Sequence, residues 1–138
     1  LAGLLHDIDY EQTAQDPARH GLVAGEMLRE AGLDEEIVHA VMAHNPANGA
    51  QGDKLIDHAL YCADPVTGLI TACALVRPSK QIADVAVSSV RKKFKDPSFA
   101  RGASREQIDA CARLPLERTE FIELALRAMK DIAGELGL

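Results

Sequence analysis

His6 and Asp7 put an imidazole and a carboxylate on consecutive residues, and this pair is where the sequence could do chemistry. On a helix, neighbouring side chains diverge by about 100°, so both can reach one ion lying off the same turn. A mixed nitrogen and oxygen donor set suits Zn, Fe, Mn or Ni, and suits Mg less because of the nitrogen ligand. Taken alone the dipeptide is common, and His6 reads more readily as a core histidine bonded to a carbonyl. The set around it changes that balance. His20, His44 and Asp64 are further polar residues whose helical phase turns them toward apolar neighbours.

Each of these placements follows from periodicity. A helix predicted from Pro17 to about Ala31 carries Val23, Ala24, Met27, Leu28 and Ala31 on one face, with His20 in its middle. The next helix opens on the acids Asp34, Glu35 and Glu36, where the helix dipole favours them. Its apolar arc of Ile37, Val38, Val41 and Met42 includes His44, whereas His39 points the opposite way. His39 and His58 are expected at the surface. Asp64 is the only charged residue between Ala59 and Val76, so it is expected to be largely desolvated and in need of a partner. An arginine, a helix N-terminus or a metal ion would each serve, with an ion pair as the default.

The elements that must hold these residues are helical throughout. No strict alternation is long enough for a strand, and aromatics are only 4%. Leu1, Leu4, Leu5 and Ile8 form an apolar stripe running into His6-Asp7-Ile8-Asp9. Asp16-Pro17 has the form of a helix start and Gly32 that of a stop. Residues 45–49 make a loop. A long helix then runs from Asp53 to about Val76 through Pro65, and a shorter one from Gln81 to Lys93. Ser104 caps another. The last helix runs from about Leu116 to Leu136, with Phe121, Leu124, Ala125, Ala128, Ile132 and Leu136 on its packed side. The reading is one all-α domain over residues 1–138, a single compact helical bundle. Its first residues resemble the middle of an apolar helix with no cap, so a further helix is expected upstream.

Composition bounds the function. A domain of 138 residues buries about 68–70% of its unfolded surface, enough for a core. At 47% hydrophobic and 26% charged the chain is not disordered. A net charge of -6 lacks the basic footprint that duplex nucleic acid requires. The apolar run from Ala59 to Val76 is broken by Asp64, Pro65 and Gly68, which argues against a bilayer span, and no signal peptide opens the chain. Cys62, Cys73 and Cys111 show no metal-type spacing and read as small buried hydrophobes of a reducing, cytoplasmic compartment. The one basic concentration is Lys80, Arg91, Lys92, Lys93, Lys95, Arg101 and Arg105. A solvated face is the default for it, with Lys80 and Lys93 as candidate phosphate contacts.

The ordered set Leu-Leu-His-Asp-Ile-Asp-Tyr-Glu, His20-Gly21, Ala43-His44-Asn45 and Ala63-Asp64 resembles the HD superfamily of metal-dependent phosphohydrolases, more narrowly its HDIG-type single-domain hydrolases. Thr67-Gly68-Leu69-Ile70, Arg77-Pro78-Ser79-Lys80 and Phe99-Ala100-Arg101-Gly102 extend the likeness over nearly the whole chain. The resemblance implies an all-helical HD-domain-like fold and one or two divalent ions, from among Mn, Fe, Ni, Zn and Mg. By that likeness His6, Asp7 and Asp64 hold the first ion together with a histidine upstream of Leu1. Asp7 bridges to a second ion held by His20 and His44. Two-metal relatives often pair histidines where this chain has His44-Asn45, and many have glycine at Asp9, a difference expected to matter little.

The expected function is hydrolysis of a phosphomonoester or phosphodiester, with nucleotides among the candidate substrates, by metal-activated water in which His6 and Asp7 are catalytic. The alternatives are an inactive nucleotide-binding or regulatory module of the same fold, and a helical partner-binding domain whose inward histidines only satisfy core hydrogen bonds. Oligomeric state is not legible.

Overall fold

The computed structural model describes all 138 residues, and the chain is helical with no strand. Nine α-helices follow one another: α1 (Ala2–Leu5), α2 (Tyr10–Thr13), α3 (Leu22–Glu30), α4 (Glu35–Ala43), α5 (Leu55–Leu75), α6 (Val87–Phe94), α7 (Arg105–Asp109), α8 (Arg118–Asp131) and α9 (Ala133–Leu136). Short 3₁₀ turns lie at Pro46–Asn48, Ile82–Asp84 and Ala110–Arg113. No helix is long and apolar enough to cross a membrane.

The chain divides into two units, Leu1–Tyr61 and Cys62–Leu138. In the first, α3 packs on α4, and α1 packs on α4 as well. Their shared core is Ala2, Ala24, Leu28, Val38, Ala40, Val41 and Leu60, flanked by Leu5, Leu33, Ile37, Met42 and Ile56. The small residues matter here. A Cβ on Gly25 would lie 2.7 Å from Met42 Cγ, so α3 sits close against α4 because this position has no side chain. Asp34 caps α4 by accepting from the Glu36 N–H, and Arg29 reaches from α3 to pair with Glu35.

In the second unit, α6 packs on α8, and α8 also meets the 3₁₀ turns at Ile82–Asp84 and Ala110–Arg113. Ser104 caps α7 as expected, its hydroxyl accepting from the Gln107 N–H. Glu117 and Glu120 form a capping box at the start of α8. Arg105 is the fastener of the 94–103 loop. Its guanidinium donates to the carbonyls of Lys93, Phe94, Asp96, Phe99, Ala100 and Ala103, so it belongs to the scaffold and not to a solvated basic face.

Several expected elements are corrected. The helix expected from Pro17 begins only at Leu22, because Gly21 takes φ +84° and breaks the helical path after a series of turns. The stretch expected as one helix from Gln81 splits at Val85 and Ala86, which are extended. The last helix is interrupted at Ile132. Its buried side is Phe121, Ile122, Leu126 and Met129, whereas Leu124, Ile132 and Leu136 are exposed. The stripe expected at the N-terminus is also mostly outside. α1 packs through Ala2 and Leu5, three residues apart, which leaves Leu1, Leu4 and Ile8 exposed.

Candidate metal centre

Three imidazoles and one carboxylate meet in the first unit. His6 is the C-cap of α1, Asp7 lies in the turn that follows, His20 precedes α3, and His44 is the C-cap of α4. Asp7 is the hub. Its Oδ1 is 3.2 Å from His20 Nε2 and 3.8 Å from His44 Nε2, and its Oδ2 is 3.5 Å from His6 Nε2. His6, Asp7 and His44 each bring a ligand atom within 4.8 Å of the others. His20 Nε2 and His44 Nε2 are 3.1 Å apart. The Asp7 side chain is 56% exposed, so the cluster has an open side. Tyr10, itself exposed, stands edge-on to the His20 ring at 6.0 Å.

The opposite nitrogen of each ring is held by the scaffold. His6 donates from Nδ1 to the Gly3 carbonyl at 2.8 Å, and His44 donates from Nδ1 to the Val41 carbonyl. His20 Nδ1 lies 2.8 Å from Asp9 Oδ1. A ring that donates from Nδ1 has its acceptor lone pair at Nε2 when neutral, and all three Nε2 atoms face Asp7. Hydrogen bonds of this kind to the outer nitrogen orient metal-bound histidines.

The residues fit a divalent ion. Nitrogen and oxygen ligands held at about 2.1 Å from one ion stand about 3.0–3.5 Å from each other at ordinary coordination angles, which is the range spanned by most of the separations around Asp7. Neutral imidazole with carboxylate is also a donor set that Zn, Mn, Fe and Ni accept.

Local folding accounts for the position of His20. Its backbone carbonyl receives the side-chain amides of Asn45 and Asn48, each at 2.9 Å. Asn45 also reaches the Pro17 carbonyl and Asn48 the Met42 carbonyl. The two asparagines thus tie the turn at residues 17–21 to the end of α4. Gly21 must come this close. A Cβ there would lie 3.0 Å from Asn48 Nδ2 and 3.2 Å from the Val41 carbonyl oxygen.

The sequence-predicted residues divide in an instructive way. His6, Asp7, His20 and His44 come together, although His20 does so from a turn and not from a helix face. Asp9, expected to matter little, is fully buried, and its carboxylate accepts from the Gly21 and Ala24 N–H groups at 2.9 Å as well as from His20. The expectation that Asp64 is desolvated is corrected: the residue is exposed, beside a cavity of about 310 Å³ also lined by Pro65, Gly68 and Gly102. Lys80 is exposed, in a left-handed backbone conformation, and Lys93 stacks its ammonium 4.4 Å from the centre of the Phe99 ring. Both lie in the second unit.

The desolvated carboxylate of α5 is Asp57, which sequence reasoning missed. It is 1% exposed, and its Oδ2 accepts from the Asp53 and Lys54 N–H groups and from His39 Nδ1, each at 3.0 Å. His39 is therefore half-buried and engaged, not solvated. Burial pushes the Asp57 carboxyl up, but the Lys54 and Asp53 N–H groups and His39 outweigh it and hold the group below the usual carboxylate range. With Asp53, this pair forms a second group of possible ligands, and its hydrogen bonds mark it as the fastening of the α5 N-terminus.

The three cysteines are free and buried. Burial pushes the Cys62 thiol up to about 11, with the neighbouring Cys111 adding to the effect, and raises those of Cys73 and Cys111 as well. None has the character of a nucleophile.

Set against family models, curated proteins and solved structures, the chain has no match in any of the three.

Proposed function

We propose that this chain is a metal-dependent phosphohydrolase of the HD type, with His6, Asp7, His20 and His44 as its metal ligands. The observation that carries the reading is the convergence of three imidazole Nε2 atoms on one partly exposed carboxylate, each ring held from behind through Nδ1. Asp64 enters this reading only through the sequence resemblance. The phosphoryl chemistry enters the same way, since a fold or a metal site alone is compatible with many substrates.

A divalent ion, when bound, supplies a water acidified to a pKa of about 7 and a positive charge for phosphoryl oxygens. The chain's own residues supply the rest. Their Nδ1 bonds keep the histidines from swinging away from Asp7, so little ordering is needed when a ligand arrives. The outward exposure of Asp7 leaves one side of the cluster open to a substrate of modest size. Asp7 is also the group within reach to accept a hydrogen bond from a nucleophilic water.

Elemental analysis of protein purified without chelator tests the reading, comparing the wild type with His6→Ala, Asp7→Ala, His20→Ala and His44→Ala. Stoichiometric Mn, Fe, Ni or Zn, diminished in the variants and accompanied by turnover of simple phosphoesters, is the expected result. Metal without turnover would favour the inactive, ligand-binding alternative. A folded wild type that takes up none of these ions would end the hydrolase reading.

A further inference from the structure

We infer that Asp9 is the positioning residue of the centre: it sets the tautomer of His20 and thereby decides whether Nε2 can be a ligand. Asp9 is 0% exposed, and both its oxygens are committed. Oδ2 accepts from the Gly21 and Ala24 N–H groups, and Oδ1 faces His20 Nδ1 at 2.8 Å. An ionised carboxylate can only accept, so the hydrogen of this bond belongs to Nδ1. In neutral His20 the lone pair then falls on Nε2, the atom that faces Asp7 Oδ1 at 3.2 Å and His44 Nε2 at 3.1 Å.

The same residue fixes where the ring is anchored. The Thr13 hydroxyl donates to the Asp9 carbonyl at 2.9 Å and lies 3.4 Å from His20 Nδ1. Asp9 thus joins the start of α2, the Gly21 turn and the first turn of α3 around one imidazole. A glycine at this position would supply no side chain to do so. The consequence for metal affinity rests on the metal-site reading above, whereas the tautomer assignment does not.

Replacement by asparagine, Asp9→Asn, gives a sharp outcome. The amide side chain has one oxygen where the carboxylate has two, and the Gly21 and Ala24 N–H groups are donors that cannot turn away. With that oxygen retained by them, the amide NH₂ faces His20 Nδ1 and forces that nitrogen to accept. The proton moves to Nε2, the ligand atom.

Two-dimensional ¹H–¹⁵N long-range correlation of the histidine rings tests this directly, in protein free of metal at a pH where the rings are neutral, with His20 assigned from the spectrum of His20→Gln. The wild type is expected to show His20 as the Nδ1–H tautomer, and Asp9→Asn to show it inverted to Nε2–H. Calorimetric titration with Zn²⁺ is expected to show affinity about 10–100-fold weaker in Asp9→Asn. A wild-type His20 in the Nε2–H form would overturn the inference, and this result needs no variant to fold. An unchanged tautomer and a Zn²⁺ affinity within about twofold in a folded Asp9→Asn would overturn it too, being well short of the effect expected for an outer-nitrogen partner. A wild type that binds no Zn²⁺ yet shows the Nδ1–H form would sink the metal reading and leave the role of Asp9 standing.

Discussion

His20 Nε2 and His44 Nε2 face each other across 3.1 Å while both rings direct Nδ1 into the scaffold. With each Nδ1 donating, two neutral rings would oppose lone pair to lone pair beside the Asp7 carboxylate. A proton or a metal cation among the three groups would relieve that opposition, and under the proposed metal reading the two would compete for one position.

Metal binding should accordingly release protons and weaken as the pH falls, because ligand nitrogens must be deprotonated to bind. Titration with Zn²⁺ in two buffers of different ionisation enthalpy measures the release. Heats that vary with the buffer are expected, and they should vary less in His44→Ala. Heats that are independent of the buffer would contradict the shared position.

Gly21→Ala tests how strictly the turn is defined. The residue has φ +84°, and a Cβ would press on Asn48 and on the Val41 and Met42 carbonyl oxygens. Strain of this kind costs about 1–3 kcal/mol, and the Asn48 amide that holds the His20 carbonyl is among the groups displaced. Urea denaturation should show a loss of that order. Metal affinity should fall as well, although no ligand is altered. A variant as stable as the wild type would mean that the turn relaxes freely.

Much of this site was legible from residue type and helical phase, and the exceptions have physical causes. His6, Asp7 and His44 were marked by type and by an apolar arc, and the helix ends at Asp34 and Ser104 by their capping side chains. His20 was identified for an incomplete reason. Periodicity saw a helix face, but the deciding feature is a turn running into the start of α3, where the Gly21 and Ala24 N–H groups point at the carboxylate of Asp9. Asp9 and Asp57 could not be ranked above other acids, because their burial depends on donors brought by tertiary packing. Asp64 shows the reverse error. It is surrounded by apolar residues in sequence but exposed in space, since neighbours along a helix do not determine what covers a given side. The glycine following His20 was the one local cue to the turn, and the two asparagines of the 45–49 loop were the residues that complete it.

Asp57 should make the stability of the protein fall in acid. Its folded-state carboxyl lies below the ordinary value of 3.8, burial being outweighed by the Lys54 and Asp53 N–H groups and His39. A group depressed on folding contributes stability that is fully present above its unfolded value. That contribution is lost as the pH falls through the folded value. Asp57→Asn should be less stable than the wild type by about 1–3 kcal/mol at about pH 7, with the gap constant down to about pH 5 and closing below about pH 4. Denaturation curves across that range decide it. A gap that widens in acid would show that the carboxyl is raised instead.

Arg105 carries the last prediction, and it concerns geometry more than charge. Its planar guanidinium reaches six backbone carbonyls between Lys93 and Ala103, a fan that an ammonium cannot reproduce with three donors on one atom. Retaining the charge should therefore help little. Arg105→Lys is expected to lose about 2–4 kcal/mol, since several of these carbonyls lose a charged donor. Arg105→Met should lose a comparable amount. The two variants together separate the causes in a denaturation experiment: near-wild-type stability in the lysine variant would assign the effect to charge, whereas similar losses in both assign it to the fork of N–H groups that closes the 94–103 loop.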